Sequence, residues 1–484
     1  MLFNSIEFWA IFVIVLLIYY AIPKKWQYIY LLGVSYLYYI QVSTYYTLLL
    51  LFSTVITYII SRLVERCDKA IKKRFCIAVC IALNVGVLVV FKYSQWILDS
   101  IQLLSDELSF GWSLPDFTLL APVGISFYTF KVVGYMIDVY RGKISAEKNF
   151  CKYSLFISFF PQIVSGPIER SYNFLPQMEK GHAFDYDIVK DGFLLFLWGL
   201  LKKIVIADRL AILVNQVFDN VSSYNTPAYF IAMLFFTMQI YFDFAGYSDM
   251  AIGIARMLGI STIRNFDRPY FSKSIGEFWR RWHISLSTWF RDYLYIPLGG
   301  NRVSMVRWTL NIMIVFVTSG LWHGANWTFL VWGALHGVYQ VVGKFSKNIK
   351  SKLFDIIHLS RESRIYVVVA TVFTFGLVTY AWMFFRANSL GDAFAITKSL
   401  IFWDFTGFSF TNMGMEKYDL IFSVILIISW FIIELVQNKV CLRDWLQKRC
   451  LPIRWAIYLV IMFTCIMFGI YGELSASSFI YLQF

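Results

Sequence analysis

The sequence predicts an all-α polytopic membrane protein, and three observations support this fold class. Hydrophobic residues make up 59% of the 484 residues and charged residues only 15%, with a mean hydropathy of +0.61. A soluble protein has about a quarter of its residues charged. Apolar runs of about 17–25 residues, long enough to cross a bilayer core about 30 Å thick, recur along the chain. Because only helices and closed barrels span lipid, runs of this length indicate helices.

The clearest apolar runs predict the spans, although some are too short to cross a bilayer unaided. In chain order they are Phe8–Ile22, Tyr28–Gln41, Tyr45–Ile60, Cys76–Leu98, Leu119–Tyr140, Ala228–Met238, Thr309–Leu321, Tyr366–Phe385, Asp419–Val436 and Arg454–Gly472. No positive segment precedes the first run and no small-residue cleavage site follows it, so we expect it to be retained as a span.

Basic residues follow the first, third and fifth runs and predict the orientation. They begin at Lys24, Arg62 and Arg141. Because loops rich in Lys and Arg stay in the cytoplasm, we expect these three clusters there and both termini on the extracytoplasmic side. The formal net charge of +13 then indicates topology and contact with the anionic lipid bilayer, and no nucleic-acid partner.

The chain shows no internal repeat and no separate soluble domain. We therefore predict a single domain over residues 1–484, with N-terminal spans in 1–140, a catalytic core in about 153–340 and C-terminal spans in 365–484. The seven cysteines lack metal-ligand spacing, so we expect free thiols and no metal site.

The most informative local feature is a histidine inside an apolar run, His323 in Ser319–Phe329. Hydrocarbon-facing segments exclude ionisable groups, so a titratable side chain at this depth predicts a functional site. Imidazole also exchanges protons near neutral pH, which suits acid–base catalysis. A buried structural histidine that bonds a backbone carbonyl is the alternative.

Between about residues 153 and 336 the apolar runs shorten and are broken by proline, glycine and charge. The segment Ser158–Arg170 holds Pro161 and Pro167, and proline costs about 3 kcal/mol in a helix interior. Irregular backbone at membrane depth is tolerated only where protein or a water-filled cavity surrounds it. We therefore predict a re-entrant or broken segment beside a cavity.

The segment Phe266–Ser287 is the densest mixture of aromatic and charged residues. On one helix, Trp279, Trp282 and Leu286 share a stripe, with Arg280 and Arg281 turned away. This pattern is typical of an interfacial helix with its aromatic face in lipid. The arginines could equally bind the phosphates of a cofactor.

Two more histidines lie in this central part of the chain. His283 precedes His323 by 40 residues, and on a separate element it could face His323 across a cavity. If residues 323–336 form one helix, His336 lies about 20 Å further along it, so we expect a structural role for His336.

Polar residues also recur within one apolar stretch. Gln239, Asp243 and Tyr247 lie at i, i+4 and i+8 and would share a helix face. Because a buried carboxylate is costly unless paired, we expect Asp243 to pair with Arg256 or Lys131. The alternative is that this face lines a substrate tunnel.

Several of these segments resemble the bacterial membrane-bound O-acyltransferase (MBOAT) family. They are Trp322–Trp327, Glu277–His283, Tyr241–Asp249, Phe160–Arg170, Lys202–Leu210, Trp382–Ala387 and the terminal Phe479–Phe484. Within the family the chain most resembles the alginate O-acetyltransferase subunit I group, which includes peptidoglycan and other polysaccharide acetylases. The resemblance covers nearly the whole chain.

The resemblance implies an MBOAT-type helical core with re-entrant segments and a central funnel or tunnel. It implies that His323 is the catalytic histidine and His283 a second active-site residue. Candidates for a substrate or donor tunnel are Asn326, Trp322, Trp327, Arg280, Arg281, Gln239, Asp243 and Tyr247.

The implied activity is acetyl transfer from a cytoplasmic donor, acetyl-CoA, across the bacterial cytoplasmic (inner) membrane, with no bound cofactor. The acceptor would be an extracytoplasmic acetyltransferase of the serine-hydrolase type, or a glycan. Two alternatives remain open. One is D-alanyl transfer from a carrier protein to teichoic acid, and the other is a glycan transporter or flippase, which the missing internal repeat disfavours.

Overall fold

The computed structural model describes residues 3–42, 44–116, 119–347, 360, 363–406, 409–440, 442–471 and 479–480. Across these ranges the regular structure is helical and contains no strand. The predicted all-α fold class is therefore confirmed. Of the terminal segment Phe479–Phe484, the last four residues lie outside the described ranges.

The helices are numbered in chain order. They are α1 (Ile6–Ala21), α2 (Gln27–Val42), α3 (Thr47–Arg66), α4 (Ala70–Glu107), α5 (Ile125–Tyr140), α6 (Phe150–Ser158), α7 (Phe160–Ile163), α8 (Ser171–Phe174), α9 (Gln177–Lys180), α10 (Tyr186–Leu200), α11 (Asp208–Phe218), α12 (Thr226–Met257), α13 (Ile275–Arg281), α14 (Ile284–Phe290), α15 (Met305–His323), α16 (Trp327–Phe345), α17 (Arg364–Arg386), α18 (Leu390–Phe402), α19 (Lys417–Gln437), α20 (Leu442–Gln447) and α21 (Leu451–Phe468). Leu201–Ala207 and Arg291–Tyr295 are π-helical turns.

Seven of the described helices are long and apolar enough to cross a membrane, namely α3, α4, α12, α15, α17, α19 and α21. Each predicted run overlaps a helix, although residues 119–124 precede α5 and Gly472 lies outside the described residues. Among the longer helices, the apolar pattern missed α10, α11, α16 and α18. Helix α10, the π turn and α11 form one continuous helical segment. The apolar pattern missed this segment because Lys202, Lys203 and Asp208 interrupt its hydrophobic residues.

Helix α12 forms the centre of the fold. Its apolar window is 83% buried inside the protein, whereas the windows of α4 and α19 are 17% buried. Two glycine pairs allow α10 to approach α12: a Cβ on Gly199 would lie 2.5 Å from the carbonyl oxygen of Gly246, and one on Gly192 would lie 2.7 Å from that of Gly253. Small residues permit such close contact of helix backbones in membranes.

The proline-containing segment is broken, as predicted, and protein surrounds it. Helix α6 ends at Ser158, α7 makes a single turn, and residues 164–170 continue without a helix, all of them buried. The ammonium of Lys131 on α5 holds this segment by donating to the carbonyl oxygen of Phe156 at 3.1 Å and to Gln162 Oε1 at 3.0 Å. Lys131 therefore does not pair with Asp243.

Two of the basic clusters lie side by side. Arg62, near the C-terminal end of α3, donates to the carbonyl oxygen of Ala146 at 3.2 Å. Tyr58, one turn earlier, donates to that of Lys148 at 2.6 Å. The clusters that follow α3 and α5 thus share one end of the bundle, in agreement with the alternating spans expected of a multi-pass membrane protein.

Candidate active site

Helices α15 and α16 form a tight hairpin with His323 at its turn. A Cβ on Gly320 would lie far inside van der Waals distance of the carbonyl oxygen of Phe329, and one on Gly333 would meet that of Phe316 in the same way. Helix α15 ends at His323 because Gly324 is extended, with φ −170° and ψ 156°. The hairpin thereby places His323 directly against α16.

The imidazole of His323 lies among aromatic rings. Its centroid is 4.9 Å from the Trp322 ring, 5.0 Å from Trp332 and 5.1 Å from Phe385. The residue is 3% exposed. His323 is therefore buried inside the protein at the end of α15, and its catalytic role stays a prediction.

Helix α4 contributes polar groups that the sequence reasoning missed. Tyr93 donates to the carbonyl oxygen of Leu321 at 2.6 Å, and Lys92 donates to those of Trp322 at 2.7 Å and His323 at 3.1 Å. A signal was available, because Lys92 is an ionisable residue inside the apolar run Cys76–Leu98, and such residues indicate functional sites.

His283 lies near the same Trp322 indole. Its ring centroid is 6.0 Å from that of Trp322 and 4.6 Å from that of Phe244, and the residue is fully buried. The structure thus brings both histidines to one indole, while the prediction that they face each other across a cavity stays a prediction. The backbone of His283 has φ 42° and ψ 55°, a left-handed conformation that is uncommon outside glycine.

Asn265 binds the two residues that follow this left-handed turn. Its carbonyl oxygen accepts from the Ile284 N–H at 2.9 Å, and its Oδ1 accepts from the Ser285 hydroxyl at 2.6 Å. Its Nδ2 donates to Ser248 on α12, and Ser285 Oγ accepts in turn from the Ile168 N–H of the broken segment. The conformation of His283 is therefore supported by α12 and by the proline-containing segment together.

The predicted single stripe over residues 279–286 is wrong, because the left-handed His283 separates α13 from α14. The aromatic residues do not face lipid either. Trp282 and Leu286 are each 1% exposed, and the Trp282 ring lies 4.9 Å from that of Trp382. Arg281 pairs with Glu277 at 2.7 Å, whereas Arg280 is exposed.

A cavity of about 130 Å³ approaches the site from one end of the bundle. Its lining residues are Trp279, Leu286, Ser287, Phe290, Arg291, Tyr295, Ile312, Val315, Phe316 and Ser319. Neither imidazole is among them. However, Phe316, Ser319 and His323 lie at i, i+3 and i+7 of α15 and share a face, so the lining residue Ser319 lies one helical turn before His323. Arg291 is the only exposed lining residue.

The polar face of α12 is used for pairing, but with different partners from those predicted. Asp243 accepts from Lys203 at 2.6 Å and from the Ile480 N–H at 2.8 Å, and Lys203 also binds Asp208 at 2.7 Å. Arg256 instead pairs with Asp191. The pattern could not identify Lys203, because its depth follows from the missed helical segment of α10, the π turn and α11.

The two other tunnel candidates on α12 lie on either side of Asp243. The ring of Tyr247 packs 5.1 Å from that of Phe3 and 4.6 Å from that of Phe479. Gln239 is buried, and its Oε1 has no hydrogen-bond partner among the described residues.

The remaining candidates divide between the interior and the surface. The Trp322 ring packs 5.3 Å from Phe127, whereas Trp327 is 48% exposed and packs 5.2 Å from Trp96. Asn326 caps α16, because its Oδ1 accepts from the Thr328 N–H at 3.0 Å. Asn326 and Trp327 thus shape the turn of the hairpin.

His336 is closer to the site than a single helix would allow. Residues 323–336 do not form one helix, as the prediction for His336 assumed. The chain turns at 324–326, and His336 lies on α16. Its Nδ1 accepts from Trp279 Nε1 at 3.3 Å, and its ring lies 5.1 Å from that of Trp332, which also contacts His323. Its structural role stays a prediction. Within the described ranges, no three His, Cys, Asp or Glu side chains cluster as metal ligands.

Comparison with known proteins places this geometry in a family. The family model of the membrane-bound O-acyltransferases matches residues 144–390, which include both histidines. A probable alginate O-acetylase AlgI of Pseudomonas aeruginosa is 34% identical over 450 residues, covering 91% of this chain and 83% of the relative. A peptidoglycan O-acetyltransferase of Helicobacter pylori is 32% identical, covering 82% and 77%. A teichoic acid D-alanyltransferase of Bacillus subtilis is 29% identical, covering 57% and 71%.

This chain, a multi-pass membrane O-acyltransferase, therefore belongs to the membrane-bound O-acyltransferase family.

Proposed function

We propose that this protein passes acetyl groups from acetyl-CoA in the cytoplasm to an acceptor on the outer side of the bacterial cytoplasmic membrane, for O-acetylation of a polysaccharide. The observation that carries the proposal is the pair of buried imidazoles beside the Trp322 indole, together with a cavity whose lining residue Ser319 lies one helical turn before His323. The relatives described as alginate and peptidoglycan acetylases support a polysaccharide as the final acceptor.

The position of the cavity supports entry of the donor from the cytoplasm. Arg291, its exposed lining residue, begins the π turn, and the next residue, Asp292, accepts from Arg141 at 3.1 Å through its carbonyl oxygen. Arg141 belongs to a cluster that the positive-inside rule assigns to the cytoplasm. A guanidinium suits the phosphates of coenzyme A. We assign this contact to Arg291, with the exposed Arg280 as a second candidate.

The reaction needs one proton acceptor, because a thioester is already activated. His323 takes the proton of the acceptor hydroxyl as its oxygen attacks the thioester carbonyl carbon. The C–S bond then breaks, and the thiolate leaves with a proton from the imidazolium. General-base catalysis of this kind contributes about 10²–10⁴-fold. His283 stabilises the oxyanion or orients the thioester. A covalent acetyl-histidine is the second route open to the same residues.

The outer partner in this proposal is an acetyltransferase of the serine-hydrolase type, which passes the acetyl group to the glycan. The proposal also includes both termini on the outer side, as the positive-inside rule predicts. D-alanyl transfer from a carrier protein is the second candidate function. Its relative covers only 57% of this chain, against 91% for the alginate relative, so we favour acetyl transfer.

The test compares His323→Ala with His182→Ala in cells that make equal amounts of each protein. Ester-linked acetate and D-alanine released from envelope polymers by mild alkali are measured. We expect His323→Ala to lose acetate at least ~100-fold. His182, whose ring bonds Tyr19 at 2.9 Å, is remote from the site, and its variant should keep acetate. Normal acetate in His323→Ala refutes the proposal, and loss of D-alanine instead of acetate supports the second candidate.

A further inference from the structure

Helix α4 supplies hydrogen-bond donors to the last turn of α15. The final carbonyl oxygens of a helix have no partner within it, and a buried carbonyl without a donor is costly. Tyr93 donates to the carbonyl oxygen of Leu321, and the Lys92 ammonium donates to those of Trp322 and His323. The C-terminal carbonyls of the helix that carries His323 therefore receive these donors from a neighbouring span, and not from residues that follow the helix in the chain.

We propose that Lys92, assisted by Tyr93, is the positioning residue that fixes the His323 imidazole for proton transfer. The inference rests on the proposed role of His323. Without these donors the last turn of α15 could fray, as helix ends do. A displacement of 1 Å at a reacting group can cost about 10²-fold in rate. Because Lys92 donates to the backbone carbonyl of His323 itself, loss of the Lys92 ammonium should shift the position of the imidazole.

The contacts of Lys92 assign it to positioning rather than to contact with substrate. An ammonium has three donors and no acceptor. Ser126 Oγ at 3.4 Å and the two carbonyl oxygens of α15 give each donor an acceptor. A positive charge at a helix C-terminus also interacts favourably with the helix dipole. A lysine at membrane depth is costly unless paired, and this arrangement pairs it with the carbonyls of the candidate site.

Lys131 on α5 provides a matched control. It is a buried lysine within an apolar helix, and it donates to the backbone carbonyl of Phe156 and to the side chain of Gln162. Lys92 is half-buried and donates to two backbone carbonyls and to one side chain, that of Ser126. Lys131 supports the broken segment and makes no contact with α15 in the described structure. A general cost of losing a lysine inside an apolar helix would affect both positions to the same degree, whereas loss of positioning at His323 would lower kcat far more for Lys92 than for Lys131.

The experiment measures coenzyme A release from acetyl-CoA by inverted membrane vesicles, which present the cytoplasmic face to the donor and enclose the acceptor. We compare Lys92→Met, Lys92→Arg and Lys131→Met, and normalise each to folded protein. Lys92→Met should lower kcat ~100-fold and change the donor KM less than ~3-fold. Lys92→Arg, which still donates to carbonyls, should recover most of kcat. Lys131→Met should lose abundance and lower kcat much less than Lys92→Met, because it reaches the site only through the broken segment that contacts Ser285.

An unchanged kcat in Lys92→Met, or a kcat equally low in Lys92→Arg, overturns the inference. If Lys92→Met does not accumulate, Tyr93→Phe removes only one hydroxyl and should lower kcat ~10-fold, and an unchanged kcat there also overturns it. His323→Ala separates the two proposals: an active His323→Ala defeats the proposed function, whereas an inactive His323→Ala with an active Lys92→Met defeats only the positioning role.

Discussion

His323 and His283 contact the same indole, yet the backbone reaches them by different routes. His323 ends a regular helix of 19 residues, with ordinary geometry up to the last turn. His283 lies between two helices of 7 residues each and adopts a left-handed conformation. Close helix packing and hydrogen bonds to the end of α15 position the His323 imidazole. A strained backbone junction positions that of His283.

The strained junction costs stability that its surroundings must supply. A left-handed conformation costs a residue with a Cβ about 1–2 kcal/mol, and such strain persists where the rest of the structure determines it. Asn265 and Ser285 provide that support through bonds to α12 and the broken segment. At His323, by contrast, the support comes from the glycine contact with α16 and the donors of α4.

The largest effect that separates the two regions is expected for His283. His283→Ala and His283→Gly both remove the imidazole, and each should lower the rate of coenzyme A release ~100-fold or more if the side chain stabilises the oxyanion. The glycine variant should be more stable than the alanine variant by about 1 kcal/mol, because glycine adopts positive φ without strain. Activity and thermal unfolding check both points. Equal stability of the two variants would refute the strain, and retained activity would refute the role.

A smaller effect is expected for the helix contact beneath His323. A Cβ on Gly320 would meet the backbone of Phe329, so Gly320→Ala must separate α15 from α16. Overpacking of this kind costs about 1–3 kcal/mol, and the shift should lower activity ~10-fold or more. Gly343→Ala on α16 is the control, because nothing lies within 4 Å of its added Cβ. Similar losses in both variants would contradict the comparison.

The smallest effect is expected at Trp327. Trp327→Leu should keep acetyl transfer within about twofold, because surface substitutions away from special features change little. Trp322→Leu, by contrast, should lower the rate ~10-fold, since its indole touches both imidazoles. Both variants are assayed by coenzyme A release at equal protein levels. A large loss in Trp327→Leu would restore that residue to the tunnel candidates.

The apolar pattern identified the spans and drew attention to His323, because burial in lipid needs long hydrophobic runs and makes an ionisable residue conspicuous. The same pattern failed for α10 and α11, where paired charges interrupt a buried helix. It also assigned Asp243 to Arg256 or Lys131, because a one-dimensional pattern identifies a need for pairing without identifying which helix lies opposite. Lys92 was visible within its run, and its significance became clear only from its partners.

The sequence by itself determined that this chain is a helical membrane protein with a buried histidine in a broken central part, because hydropathy and proline act locally along the chain. Only the tertiary structure decided that Lys92 closes the helix of His323, that Asn265 holds His283 in its left-handed turn and that Lys203 pairs with Asp243. These contacts join residues far apart in the chain, and their selection depends on which helices can approach closely enough to satisfy buried polar groups.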